Sequence, residues 1–176
     1  MKFKDIIGLI SKVSGSQISL GASTILINNM RYRTDGEMLN VAKLGVGGLD
    51  SGILVADTLY FIYAILVSGN IRLVGSTNYS APTGFSQYKQ VGRFGTNSSP
   101  EILLASNLNN TRGHIGSEDD VMLPELSYRV VNGWEWILKD GRDVTGSKYH
   151  ALTGNTTVSD SRGIVNRCAN NGSGRI

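Results

Sequence analysis

At 176 residues the chain has room for one large domain or two small ones, and a 40% hydrophobic content is enough to build a core. Charged residues make up only 18%, while glycine reaches 22 residues, so the surface is dressed mainly in neutral polar groups; that suits a long-lived extracellular assembly better than a crowded cytosolic enzyme. The net charge of +3 is scattered without a run of four Lys/Arg, which argues against a phosphate-tracking stripe, and the single cysteine, Cys168, excludes an internal disulfide and a metal site built on thiolates.

The opening "MKFKDIIGLISKV" places Phe3, Ile6, Ile7, Ile10 and Val13 at helical spacing, which predicts a short amphipathic helix or an ordered arm. Three turns are too few to be stable alone in water, so the segment needs a partner surface, within the fold or on another subunit. A basic start before "IIGLI" loosely mimics a signal peptide, but the apolar core is short and no Ala-x-Ala-like site follows, so that reading is rejected. From Ser16 to Thr34, Ile18 and Leu20, then Ile25 and Ile27, then Met30 and Tyr32 fall on period two, with "GAS" and "NN" as turns; a meander of two or three short strands is expected.

Between Val41 and Gly95 the strand signals recur about every ten residues between Gly or Asn turns, as in an antiparallel sandwich or small barrel. "VAKLGVGGLDSG" is turn-rich and "ILVADTLYFIYAILVSG" strand-rich. "NIRLVGSTNYSAP" reads as a strand ending at Pro82, and "YKQVGRFGTN" as a last one. Tyr60, Ile62, Ala64 and Leu66 share one face of their strand, and Leu59, Phe61, Tyr63 and Ile65 the other. Both faces are apolar, so this strand is either central in a two-layer core or covered by another subunit. The longest apolar stretch, Leu59 to Val67, is strand-sized and far from the roughly 18 residues that span a bilayer.

From Asn97 to Leu126 the pattern loosens into loops around the short strand "EILLAS". Val130, Val131, Trp134, Trp136 and Leu138 then suggest a strand pair turning at Asn132-Gly133. "GSKYHALTG" reads as one helical turn capped by Ser147, with Tyr149 and Leu152 three apart on one side.

Chemistry-bearing patterns are sparse. "GVGGLDSG" lacks the Gly-Lys-Ser/Thr ending and the following helix of a phosphate loop, so it is read as a plain turn. Glu118, Asp119 and Asp120 lack EF-hand spacing. Asp140 and Asp143 flank "DGR", an ordinary turn with Gly at positive φ, although a carboxylate pair could in principle cleave a glycosidic bond. His114 and His150 stand far apart with no metal or triad pattern around them. The Asn-x-Ser/Thr triplets at Asn78, Asn97, Asn109 and Asn155 matter only in a glycosylating pathway. Trp134 and Trp136 lie on one strand face; exposed they could stack on sugar rings, buried they anchor a core or a subunit interface, which is the favoured reading.

"WEWILKDGRDVTGSKYHALTGNTTVSDSRG", Trp134 to Gly163, resembles the tail-collar-like module of phage tail fibres. The matching elements are Asp140-Gly141-Arg142, then Ser147, Tyr149 and Leu152, then Asp160-Ser161-Arg162-Gly163. Ser159 stands where that family usually has Pro, and "IVNRCANNG" replaces the usual continuation, so the module is expected to be degenerate or to lack a distal tip. A second likeness covers Leu44 to Thr96: a Gly-Leu-Asp-x-Gly turn, a Tyr-rich strand, a Ser-x-x-x-x-x-Pro loop and a glycine-bearing last strand look like the β-module of phage fibre and tail proteins.

The fold expected is mainly β: an N-terminal attachment arm and short strands (1–40), a central antiparallel sandwich-like module (41–96), a loop-rich connector (97–126) and a small collar-like module (127–176). The resemblance implies a non-enzymatic fibre subunit of the virion, made in the host cytoplasm. It implies a homotrimer that docks on other tail or baseplate proteins and supports host attachment, without cofactor, metal, nucleic acid or membrane insertion. Trp134, Trp136, Tyr149 and Leu152 would pack the module; Asp140, Arg142, Asp160 and Arg162 would serve turns and interfaces. The rival readings are a receptor-binding protein that itself grips a host-surface glycan, a glycan-degrading tailspike, and a bacterial surface module.

Overall fold

A computed structural model describes residues 5–108, 126–127, 130 and 141–158. The chain is mainly β, with two antiparallel sheets, and it divides into two compact units: one holds the seven strands described, the other holds 141–158.

The first sheet is a meander of β1 (Ile10–Lys12), β2 (Gln17–Ile27) and β3 (Met30–Asn40). Asn28 and Asn29 take φ of 52° and 63°, the left-handed pair that a two-residue hairpin turn requires and that asparagine tolerates. "GAS" is not a turn; β2 runs straight through it. What changes there is the side of the sheet that faces the core. Ile18 and Leu20 are buried on even positions, Ser23, Ile25 and Ile27 on odd ones. The ladder is interrupted at that point, between Gly21↔Gly36 and Ser23↔Thr34, and Gly36 has φ 150°, a conformation closed to residues with a Cβ. Both strands shift parity together, so the apolar residues on either side of the shift, Ile18 and Leu20 and then Ile25 and Ile27, reach the same core.

The N-terminal segment is extended, not helical. The Ile6 amide donates to the Thr24 carbonyl, the Thr24 amide returns the bond to Ile6, and the Gly21 amide donates to Leu9, which lines the arm along the free edge of β2. A Cβ on Gly8 would meet the Gly21 carbonyl carbon at 2.5 Å, so this close backbone approach needs glycine. Of the apolar residues that mimic a helical stripe, Phe3 lies outside the described residues, and the others split between the core (Ile10, with Ile7 packed against it) and solvent (Ile6 and Val13). The edge of β2 offers this segment backbone partners and the core offers Ile10 a place, whereas a three-turn helix would be marginal by itself.

The second sheet has the order β5 (Asn70–Ser76), β4 (Leu59–Val67), β6 (Tyr88–Thr96), β7 (Ile102–Asn107). Ser68 and Gly69, with φ of 49° and 81°, make the tight β4–β5 turn. The two sheets share one core. Ile18, Leu20, Ile25, Ile27 and Leu39 from the first meet Tyr60, Ile62, Ala64, Leu73, Val91 and Phe94 from the second. Phe94 stacks on Tyr60 with ring centroids 4.8 Å apart and planes 7° from parallel. The segment 1–40 thus supplies the first sheet, and 41–96 together with β7 from the expected connector supplies the second, to the same interior. β1 lies beside β7, and β3 beside β5.

Both outer edges are closed. Asn107, at the end of β7, accepts from the Ile10 amide at 3.0 Å and donates to the Gly8 carbonyl at 2.8 Å, while the Ile102 amide donates to Gly15. On the other side the glycine-rich loop after β3 runs along β5. The Gly47 amide donates to Leu73, Gly75 to Gly48, and Asp50 to Gly75. Leu49 enters the core from this loop at 1% exposure. With these amides committed to β5, the loop has the wrong geometry to cradle a phosphate.

The two apolar faces of β4 separate as the alternation implies: Tyr60, Ile62 and Ala64 face the inter-sheet core; Phe61, Tyr63 and Ile65 form a second buried cluster with Val74. That second face needs no other subunit. β5 does not run on to Pro82 but ends at Ser76, whose Oγ accepts from the Asn78 amide, and the following loop folds back to lay Phe85 and Tyr88 over the cluster. Farther along the same face, a Cβ on Gly95 would touch Val130 at 3.0 Å and Leu126 at 3.2 Å.

In the second unit, α1 (Lys148–Thr153) forms the expected turn. Ser147 Oγ accepts from the His150 amide at 3.1 Å, and Gly154 closes the helix at φ 74°. The Asn132-Gly133 hairpin falls outside the described residues.

Candidate functional site

Of the residues singled out in the sequence, Trp134, Trp136, Asp140, Asp160 and Arg162 lie outside the described residues, as do Cys168, His114 and Glu118–Asp120. Arg142 is half-buried, and its carbonyl accepts from the Val158 amide at 3.3 Å. Tyr149 and Leu152 sit one turn apart on α1. Gly141 takes φ 78°, as the turn reading of "DGR" asks. Asp143 is committed to that turn as well. Its Oδ1 accepts from the Thr145 hydroxyl at 2.6 Å and the Thr145 amide at 2.8 Å, and these bonds hold the carboxyl below its ordinary range.

Among the described residues no group of three or more His, Cys, Asp or Glu is placed to hold a metal ion, and no helix is long and apolar enough to cross a membrane. A shallow depression lies among Ser19, Gly36, Glu37, Met38 and Arg72, where the carboxylate and the guanidinium pair at 3.3 Å.

The most organised exposed feature is the connection between β5 and β6, residues 77–87, on the outer face of the second sheet. Nothing charged occurs from Leu73 to Tyr88. The loop is tied down from several directions. Tyr63, buried at its centre, donates its hydroxyl proton to the Asn78 carbonyl at 2.8 Å, and Tyr88 donates to Ser80 at 3.4 Å. Asn78 Oδ1 accepts from the Ser80 amide at 3.0 Å, a side-chain turn within the loop. Asp50, from the glycine-rich loop, accepts from the Thr83 amide at 2.6 Å. Leu66 of β4 donates to the Gln87 carbonyl.

Aromatic rings form the floor. Tyr79 meets Phe61 edge-on with centroids 6.1 Å apart, and Tyr88 meets Tyr63 at 5.6 Å and 88°. Burial, reinforced by Tyr88, Asp50 and Tyr79, pushes the Tyr63 hydroxyl far above its ordinary range, so it stays a neutral donor at any physiological pH. Beside Phe61 in the ladder, Arg93 is buried, and the loss of water lowers its pKa. Tyr79 itself is 48% exposed. The loop is thus an uncharged cover laid over β4, with the Asp50 carboxylate spent on holding it there. Sequence reading passed over it, treating Asn78 only as a glycosylation triplet. The available signal was the sixteen-residue uncharged run carrying Tyr79, Phe85 and Tyr88.

No family model, curated protein or solved structure matches this chain.

Proposed function

We propose that this chain is a structural subunit of a bacteriophage tail, a fibre or fibre-like protein that attaches to the tail or baseplate and supports host recognition. The reading is carried by the motif series from Leu44 to Thr96 and by the way its parts depend on one another. The Gly-Leu-Asp turn supplies Leu49 to the core and Asp50 to the 77–87 loop; that loop, from Ser76 to Pro82 and on to Tyr88, covers the Tyr-rich strand β4. A sequence pattern whose distant parts hold each other in place behaves as one module, as a recurrent building block must. The collar-like likeness draws support from the Asp143 turn and the Ser147-capped α1.

Assembly into a homotrimer is proposed from the resemblance and from the exposed apolar side chains of Ile6, Leu9 and Met38 on the first sheet. β4 no longer argues for it. Two measurements test the reading. Light scattering on the full chain should give roughly 57 kDa, three times the 18.9 kDa of one chain; a molar mass of one chain would end the trimer. Gold-labelled antiserum should decorate tails of particles released by cells that carry this coding sequence, and unlabelled particles would end the tail assignment.

A further inference from the structure

We propose that the turn ahead of α1 is a proton-operated switch, in which His150 exchanges one partner for another. Neutral, its ring holds the backbone of Gly146; charged, it releases Gly146 and turns to the Asp143 carboxylate. The proposal stands on the geometry of the second unit alone and does not depend on the tail reading.

The first partner is in place. The Gly146 amide donates to His150 Nδ1 at 3.0 Å. An imidazole nitrogen accepts only while it carries no proton, so this bond fixes the neutral ring as the tautomer protonated at Nε2. A second proton, taken from solvent, must then land on Nδ1. That atom becomes a donor facing a donor, and the Gly146 amide loses its acceptor. Gly146 takes φ 82° where the turn enters the helix, so the bond that is lost bears on the shape of the turn.

The second partner is the carboxylate on the same turn. Thr145 does most to keep Asp143 ionised, through a side-chain and a backbone bond, and the charge of His150 contributes as well, so the two groups lie within electrostatic reach. A carboxylate accepts at about four positions, and its bonds from Thr145 leave capacity for an imidazolium. The remaining charged residues described in this unit are Arg142 and Lys148, both cations, and neither can receive the charged ring. The helix does not depend on the exchange: Ser147 Oγ accepts from the His150 amide, and Ala151 and Gly154 make its backbone bonds. Asp143 must be ionised to hold Thr145, and His150 neutral to hold Gly146. The turn therefore keeps both ties only in the pH window between the two titrations.

The test is an NMR titration of the full nitrogen-15-labelled chain from pH 8 to pH 2. At pH 8 the His150 ring should show an unprotonated Nδ1, with a scalar coupling to the Gly146 nitrogen across the hydrogen bond. As pH falls, that coupling should vanish, and the Gly146 amide should shift along one curve with the His150 ring protons. Over the same range, contacts between the ring and the Asp143 β-protons should strengthen. The Thr145 amide should stay still until the lower pH at which Asp143 takes up its proton. His150→Asn puts an oxygen on Cγ in place of the ring nitrogen and has no proton to gain, so its Gly146 amide should lose this response. Asp143→Asn should abolish the strengthened contacts while Gly146 is still released. A ring protonated at Nδ1 at pH 8, or no coupling there, overturns the proposal. So does a Gly146 amide that stays still while the native ring titrates, or one that still titrates in His150→Asn. Contacts to residue 143 that do not strengthen in the native chain overturn Asp143 as the second partner. The native titration decides the matter even where a variant fails to fold.

Discussion

Replacing Asn107 by alanine should detach the N-terminal arm while leaving the sandwich folded. The carboxamide holds two backbone groups of the arm almost a hundred residues away, accepting from the Ile10 amide at 3.0 Å and donating to the Gly8 carbonyl at 2.8 Å. A hydrogen bond contributes about 1 kcal/mol net, and a partner left unsatisfied in a dry site costs about 1–3 kcal/mol. These groups are only partly buried, so water relieves some of the deficit, and the pair comes to about 2–3 kcal/mol. Against a typical total of about 5–15 kcal/mol that is a large fraction, and it should lower the melting temperature by roughly 5–12 °C. Circular dichroism would give the melting temperature. Hydrogen exchange would locate the effect: the Ile6 and Gly21 amides, which bond across the arm and β2, should lose protection, while Ile62 in β4 keeps its own. Asn107→Asp keeps an acceptor and loses the donor, so it should fall between. A melting temperature within about 1 °C of the native value, with Ile6 and Gly21 still protected, would refute the claim that Asn107 is what clips the arm in place.

Phe94→Ala removes a ring with no exposed surface that stacks on Tyr60 and crowds Gly75, and should cost about 3–5 kcal/mol in urea unfolding; a loss below about 1 kcal/mol would mean the shared core is not where the stability lies. Asp143 predicts a pH dependence in the second unit. Its folded pKa lies below the unfolded value because Thr145 donates twice to the carboxylate, so the turn is fully held above the ordinary carboxylate range and released as pH falls through the lower folded value. The Thr145 amide resonance, followed by NMR from pH 7 to pH 2, should report that depressed pKa; titration at the ordinary carboxylate value would contradict it.

The sandwich was largely legible in the sequence because its elements follow simple alternation. β4 is the clearest case: the odd and even residues divide between two clusters just as their order says. Ser147 and Gly154 likewise announce α1 through cap chemistry that acts over three or four residues. The failures have two physical origins. Ile6, Ile7 and Ile10 match a helical stripe by spacing, but spacing does not reveal that the neighbouring β2 edge offers unpaired backbone, and edge pairing outweighs a three-turn helix. "GAS" looks like a turn because it carries a glycine, yet β2 runs through it; what happens there is the close approach of Gly8 and a change of parity, both long-range facts. The fold of the 77–87 loop was missed for the same reason: what holds it is Tyr63 beneath it and Asp50 beside it, one on another strand and one on another loop.

A strand apolar on both faces calls for a third layer, and nothing in the strand itself says whose chain supplies it. Here the loop after β5 supplies it, at the cost of ordering eleven residues, which the aromatic contacts and the bonds from Tyr63, Tyr88 and Asp50 offset. The consequence for assembly is a division of surfaces. The outer face of the second sheet is closed by its own chain and turns Tyr79 toward solvent, whereas the outer face of the first sheet leaves Ile6, Leu9 and Met38 uncovered. If copies associate, the exposed apolar side chains available to them lie on the first sheet, while the two apolar faces of β4 are already covered within the one chain.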